Sequence, residues 1–238
     1  MKPPADRLTA SEFVAETLRR EILRGELSPG QPLLQDHIAA RFDVSQSSVR
    51  EALRRLESQA LVESVRNRGT FVATLTIGQI EEMYQIRLAI ELIALRHNFA
   101  NLDLRAAREL LAEMAKDPET AFFLGETHKK FHAVFYDSPD RKLGKDILQN
   151  IYGNLTRVWV SFVRSKPSQA RRYEGQSRQQ HHDLLRAAEA QDLPAAEAIL
   201  TQHINNARDL LVEYLRQVDA ASPDEAGSAG TGRRARQG

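Results

Sequence analysis

The sequence predicts a mainly α-helical chain in two parts. Three short helices and a two-stranded hairpin come first, and an all-α bundle of about six helices comes second. Three observations predict this. Apolar residues recur at three- and four-residue spacing along most of the chain, the period of an amphipathic helix. Only "LVESV" and "TFVA", residues 61–65 and 70–73, read as short strands, with a polar turn between them. After residue 77 no stretch alternates as a half-buried sheet would.

From Leu8 to Leu23, apolar Phe13, Val14, Leu18, Ile22 and Leu23 share a helical face, and Thr9 or Ser11 can cap the start. "GELSPGQPL" then reads as a turn segment, because Gly25, Pro29, Gly30 and Pro32 interrupt any helix. "QDHIAARFDV" gives a short helix with Ile38, Ala39 and Phe42 inward and Asp43 at the following turn. Ser45 is the expected N-cap of the third helix, whose apolar stripe is Val49, Ala52, Leu53 and Leu56. "RNRG" closes the hairpin, with Gly69 permitting positive φ. Helix, helix, turn, helix and wing is the winged helix-turn-helix arrangement, assigned here to residues 8–75.

"ATLTIGQ", residues 73–79, is a short polar linker in which Thr76 can cap the next helix. The helical half, residues 76–218, divides into "IEEMYQIRLAIELIALRHNFA", "DLRAARELLAEMA", "ETAFFLGETHKKFHAVFYD", "KLGKDILQNIYGNLTRVWVSFVRSK", "RRYEGQSRQQHHDLLRAAEAQ" and "LPAAEAILTQHINNARDLLVEYLRQV". A kink is expected near Gly153 in the fourth. Residues 219–238 lack large apolar groups and are expected to be a disordered tail, its "RRAR" solvated.

The composition, 42% hydrophobic and 27% charged over 238 residues, is that of a globular protein. The lack of cysteine excludes a disulfide scaffold and thiolate metal sites and suits a reducing cytosol. The polar start does not resemble a signal peptide, and no apolar run approaches the roughly 18 residues of a membrane span. A cytoplasmic protein with no membrane partner is expected. The formal charge is only +1, so any recognition of a polyanion must be local.

Such a locality exists. With its apolar stripe removed, the third helix presents Gln46, Ser47, Arg50, Arg54 and Arg55, and the hairpin tip adds Arg66 and Arg68. A helix fits the DNA major groove and meets base edges with its first residues, here Ser45, Gln46, Ser47 and Ser48. Arg50 and Arg54 come next on that helix, while Arg66, Arg68 and Gly69 can reach the backbone or the minor groove. The bland alternative is a solvated face whose arginines pair with Glu51 and Glu57.

Five of the seven histidines lie between residues 128 and 203. His128 and His132 are four apart and share a helix face. His181 and His203 lie on two helices that "EAQDLP" folds back on one another. Four imidazoles converging in a bundle would bind Zn²⁺ or a similar first-row ion. A metal-free polar pocket is the competing reading. His37, His97 and His182 read as surface or packing residues. Arg87 and Glu91, four apart, read by spacing alone as a surface ion pair.

"LRREILRGELSPGQPL", "VSQSSVREALRRLESQALVE" and "RNRGTFVA" resemble the DNA-binding domain of the GntR superfamily of bacterial transcription regulators. "YQIRLAIE", "HKKFH" and "QHHDLLRAAEAQDLPAAEAILTQH", in that order, resemble the FCD ligand-binding domain of its FadR-like branch. Together they cover roughly residues 8–217. The resemblance implies a homodimer, formed largely through the helical half, on a palindromic operator DNA. It carries DNA contacts to Arg50, Arg68 and Gly69. Gln46 stands where the family usually has Arg, Ser47-Ser48 where Thr-Pro is common, and Gln35-Asp36 where Glu-Arg is frequent. Glutamine pairs with adenine and arginine with guanine, so an operator that differs at that base is expected.

The resemblance also implies a metal set in which His132, His181 and His203 match family ligands and His128 replaces an aspartate. His181 is selected over His182 because Asp192 then falls in register. Four histidines favour Zn²⁺, with Ni²⁺ or Cu²⁺ next, over Mn²⁺ or Mg²⁺. Arg87 is implied to point inward as a fork for the carboxylate of a small organic acid effector, with Arg157, Trp159 and Arg164 as further candidates for the lining. Trp159 reads equally well as core. The expected function is a ligand-responsive transcription regulator. A metal-dependent hydrolase fused to a DNA-binding module is disfavoured, since the chain has no HExxH, no Gly-x-Ser-x-Gly and no cysteine. An effector-free architectural DNA-binding protein leaves the histidine-bearing half unexplained. The chain is therefore not expected to be an enzyme.

Overall fold

The computed structural model describes residues 8–116, 125–137 and 139–221. Among them are nine α-helices and one antiparallel hairpin. In the N-terminal unit α1 spans Ala10–Leu23, α2 Gln35–Phe42 and α3 Gln46–Ser58, followed by β1 Val62–Val65 and β2 Gly69–Val72. The caps are sequence-local. Thr9 closes a capping box with Glu12 at the start of α1. Ser45 Oγ accepts from the Ser48 amide at 3.2 Å and starts α3. Asp43 ends α2 in the left-handed region at φ 54°, which an aspartate tolerates. The apolar stripes of α1 and α3 close over Phe42, and Val14, Phe42, Val49 and Ala52 are fully buried.

The hairpin pairs Val65 with Gly69 and Val62 with Val72. Asn67 and Gly69 both take positive φ at its tip. One departure from the expected pattern lies in "GQPL", which is more than a turn. Its Leu33 amide donates to the Thr70 carbonyl at 2.8 Å, and the Val72 amide donates to the Gln31 carbonyl at 2.9 Å. The segment lines the free edge of β2 and fixes the wing to the three helices.

The helical body contains α4 Ile77–Asn98, α5 Leu104–Met114, α6 Glu126–Tyr136, α7 Lys142–Ser165, α8 Pro167–Glu189 and α9 Leu193–Ala221. Thr76 caps α4 through a capping box with Gln79, as its position suggests. Several boundaries differ from those expected of the sequence. The described part of the third body helix starts at Glu126, behind a Gly125 N-cap, and the expected residues 119–124 lie outside the described residues. α7 runs as one helix through Gly153, the residue near which a kink is expected. An isolated glycine costs a helix about 1 kcal/mol and need not bend it. Pro167 opens α8 four residues early, since proline fits a first helical turn. α9 continues to Ala221, into the expected tail, and residues 222–238 lie outside the described residues.

The body core gathers Tyr84, Leu95, Phe131, Leu155, Phe162, Leu184 and Ile204. α4 is inverted at its centre: Arg87 and Glu91 are buried while Ile86 and Ile93 face outward. α7 joins the two units. Arg157 donates from Nη1 to the Ala73 carbonyl at 2.7 Å and from Nη2 to the Ala60 carbonyl at 3.2 Å. Asn154 donates to the Gln59 carbonyl at 3.0 Å, and Arg164 donates to the carbonyls of Arg24 and Gly25. Among the described residues no helix is long and apolar enough to cross a membrane.

Candidate functional site

The N-terminal unit presents a polar face made by α3 and the wing tip. Ser45, Gln46, Ser47, Arg50, Arg54, Arg66, Arg68 and Gly69 are exposed and Ser48 is half-buried. The anticipated pairing with Glu51 and Glu57 forms only in part, through Arg55. Glu51 pairs with Arg55 at 3.1 Å, and Glu57 accepts from the Ser64 amide at 3.0 Å. Arg55 also reaches Glu12 at 3.2 Å, so it braces α1 against α3. Among the described residues Arg50, Arg54 and Arg66 make no ion pair, so their guanidinium groups face solvent. Arg68 lies over the Phe71 ring, 5.8 Å from its centroid. Gln46 Nε2 donates to Asp36 on α2. Two positions that depart from the resembled pattern therefore meet in space, and Asp36 sets the orientation of the Gln46 amide.

The second feature lies deep in the body. α6 supplies His128 and His132, α8 supplies His181 and α9 supplies His203, all buried. One nitrogen from each lies within 4.8 Å of the other three, and the four could hold a metal ion. His132 Nε2 is 3.1 Å from His128 Nε2 and 3.2 Å from His181 Nε2. Neutral imidazole carries one N–H, so ring nitrogens facing one another this closely cannot all find a proton between them. A cation in their midst resolves the conflict. A tetrahedral zinc site with Zn–N bonds of about 2.05 Å spaces its nitrogens about 3.3 Å apart, which these distances approach. His203 Nδ1 faces Gln180 Oε1 at 3.2 Å, so that nitrogen carries the hydrogen and Nε2 is left bare. On the outer side of His132, Nδ1 is 4.0 Å from Glu91 Oε2. Gln180 thus orients the His203 ring from behind, as outer residues of metal sites do, and Glu91 stands behind His132 beyond hydrogen-bond distance. His182 is exposed and turned away, and Asp192 caps α9 through the Ala195 amide.

Burial, reinforced by the neighbouring histidines, pushes the pKa of His132 well below its ordinary value. Burial likewise holds His181 and His203 well below theirs. All three are neutral at pH 7 and present lone pairs. The sign of the consequence is definite for the metal-free protein. Below about pH 6.5 the unfolded chain takes up protons on these histidines and the folded chain does not. Stability is intact above that pH and falls by about 1.4 kcal/mol per pH unit for each histidine below it. Urea unfolding of chelator-treated protein should show little change from pH 8 to 7 and a steep loss from pH 6.5 to 5. A flat profile would contradict neutral burial.

Arg87 lies beside this cluster. Its Nε donates to Glu91 Oε1 at 2.6 Å, and both side chains are buried, at 5% and 2% exposure. The pairing read from the spacing exists, but it lies inside rather than on the surface. Tyr152 Oη donates to the same carboxylate oxygen at 2.8 Å, and the guanidinium sits 4.6 Å from the Tyr152 ring centroid. Burial works against the Arg87 charge, yet the Glu91 carboxylate outweighs it and holds the pKa above its ordinary value. Burial raises the Tyr84 pKa to about 12. Arg87 Nη2 is buried without a hydrogen-bond partner. A cavity of about 30 Å³ is bounded by Arg87, His128, His203, Tyr152, Trp159 and Tyr173. Trp159 lines it and donates to Tyr84 Oη at 3.2 Å.

Arg157, expected to line the effector pocket, does not border this cavity. It faces the other way, gripping the carbonyls of Ala60 and Ala73, and burial lowers its pKa to about 10. Arg164 is likewise taken up by carbonyls of the N-terminal unit. Sequence spacing did not single out Tyr152, Tyr173, Tyr84 or Gln180. A partial signal existed, since Tyr84, Arg87 and Glu91 share one face of α4 at spacings of three and four.

Residues 10–72 match the family of bacterial regulatory proteins, gntR family, and residues 82–206 match the FCD domain. The chain is 27% identical over 223 residues to the HTH-type transcriptional repressor RspR of Escherichia coli, covering 90% of this chain and 92% of that one. It is 31% identical over 163 residues to the gluconate operon transcriptional repressor of Bacillus licheniformis, covering 66% and 65%. Among solved structures, a putative GntR transcriptional regulator from Rhodococcus sp. RHA1 superposes with a TM-score of 0.71 at 25% identity, over 85% of this chain and 97% of that one. E. coli McbR/YncC, at 21% identity and a TM-score of 0.70, shares the fold.

Proposed function

The chain belongs to the GntR family of bacterial regulatory proteins and carries an FCD domain, and on that footing we propose a homodimeric regulator whose operator affinity responds to a small carboxylic acid bound beside a zinc or nickel ion. That it is a transcription regulator, and not an enzyme, follows from the family and from relatives named as repressors. The finer reading is carried by one observation: the cavity that touches Arg87 also touches His128 and His203.

A carboxylate entering that cavity meets donors on two sides. Glu91 engages Arg87 through Nε and leaves Nη2 for an incoming oxygen. A bound ion would supply a Lewis-acidic position for the other oxygen. The cavity is close to the size of one small group, so the rest of the acid would displace or rotate Tyr152 or Trp159. Both residues belong to α7, whose other face holds the N-terminal unit through Asn154 and Arg157. A shift of one helix would thereby reach the DNA-reading face. That one relative represses a gluconate operon makes sugar acids the first class to try. For dimerisation, Ile86 and Ile93 on α4 and Leu143 on α7 form exposed apolar surface on the body, which a second copy would cover.

The test uses linkage. Gluconate and related acids are titrated into zinc-treated protein, free and bound to a palindromic duplex selected from random DNA. An effector that changes DNA affinity by some factor must have its own affinity changed by the same factor. Identical acid affinity in the two states would remove the regulatory reading.

A further inference from the structure

We propose that a basic cleft between α1 and the α6–α7 pair is a second binding site, built for a small anion carrying phosphoryl groups. The cleft encloses about 920 Å³. That volume falls within the usual size of small-molecule sites, roughly 300–1,000 Å³. One wall is α1, with Arg19, Arg20 and Arg24. The other is α6 and α7, with Lys129, Lys130, Lys145 and Arg164. Seven basic side chains thus face three acidic ones, Glu26, Glu126 and Asp137, in a chain whose total charge is only +1.

The pairing inside the cleft decides how much of that charge is available. Glu126 takes Lys129 at 2.7 Å, Asp137 takes Lys145 at 2.6 Å, and Glu26 lies 4.0 Å from Arg24. All three carboxylates are then used. Arg164 is hydrogen-bonded only to carbonyls, which fix its position and leave its charge uncompensated. Arg20 likewise meets neutral oxygens, the Glu16 carbonyl and Thr17 Oγ1, each at 3.4 Å. Arg19 is paired with Glu16 at 3.9 Å, a carboxylate outside the cleft lining. Lys130 completes a set of three uncompensated cations, one from each of three helices.

The chemistry selects the ligand. Guanidinium forks and ammonium groups converging from several directions match a phosphoryl group, which offers three acceptor oxygens and up to two charges. A lone carboxylate cannot span opposite walls of so wide a cleft. The cleft borders the histidine cavity, and the two share Lys129, Tyr152 and Thr156. It differs from that cavity in being open and strongly positive. An anion held there would bridge the DNA-reading unit and the body, so filling the cleft would tighten their contact.

The experiment uses full-length protein and fructose 1,6-bisphosphate as the probe, followed by calorimetry and thermal unfolding. The expected result is saturable binding with a rise in Tm beyond that given by sodium chloride at equal ionic strength. The double variant Arg20→Glu, Lys130→Glu changes two exposed helix positions and should weaken binding by at least about tenfold, with the far-UV circular dichroism unchanged. His132→Gln, which disables the proposed metal centre, should leave it intact. An effect matched by sodium chloride, or an unaltered affinity in the double variant, would overturn the proposal. So would loss of bisphosphate binding in His132→Gln, because the cleft would then be only the mouth of the histidine cavity. A double variant that lost DNA affinity, in a protein that never bound the bisphosphate, would make the cleft a DNA contact instead.

Discussion

Untagged protein incubated with Zn²⁺ and desalted should retain about one equivalent per chain, and His132→Ala should retain essentially none. His132 is the residue to remove because it touches every other member. Its Nε2 faces His128 and His181, and its ring stacks on His203 with centroids 5.0 Å apart. Binding that favours the folded chain stabilises it by mass action, by about 4 kcal/mol when free metal is a thousand times the Kd. For a chain of this size each kcal/mol raises Tm by about 2–4 °C, so a shift on the order of 10 °C is expected on adding zinc. The variant should show no shift. Less than about a tenth of an equivalent of any transition metal in the wild-type protein, with no zinc-dependent Tm, would mean that the cluster is a metal-free polar core. His128→Asp restores the carboxylate of the resembled pattern and should move the preference from zinc toward manganese, which elemental analysis after competition would report.

On a duplex selected from random DNA, Arg50→Ala should weaken binding by about 1–3 kcal/mol, or roughly fivefold to more than a hundredfold. Arg50 is exposed on α3 and Glu51 is already taken by Arg55, so the loss would be of a DNA contact rather than of stability. An unchanged Tm would confirm that separation. Gln46→Arg should change the preferred base at one position of each half-site from adenine to guanine. Asp36 bears on the outcome: it holds one Gln46 amide hydrogen and leaves the second hydrogen for N7 and Oε1 for the N6 amino group of an adenine. Arg66→Ala, at the wing tip, should weaken all sequences alike and reduce the salt slope by about one. A selection in which Gln46→Arg left the preferred base unchanged would remove Gln46 from base readout.

Much of the fold was legible because its signals are local. Ser45, Thr9 and Thr76 cap the helices they precede, and each cap needs only an amide three residues on. The two valine-rich runs around "RNRG" pair as expected because a hairpin spans few residues. The four histidines were legible for another reason. His128 and His132 share a helix face by spacing, and α8 and α9 form a hairpin whose turn is short.

The helices, the wing, the outward arginines of α3 and the histidine set could be read from the residues alone, since each depends on the period of one element or the turn between two. Which side of each body helix faces in depends on how the helices pack. Arg87 and Glu91 lie at a spacing that serves equally for a surface pair, and they are buried because Tyr152 and His132, from distant parts of the chain, enclose them. Arg157 read as pocket lining, and it clasps Ala60 and Ala73 because the docking of the two units puts those carbonyls opposite α7. The net charge of +1 likewise conceals the positive cleft, which exists only where α1 meets α6 and α7. A helix repeats the same period on every face, and which face is desolvated is settled by neighbours that the local pattern does not contain.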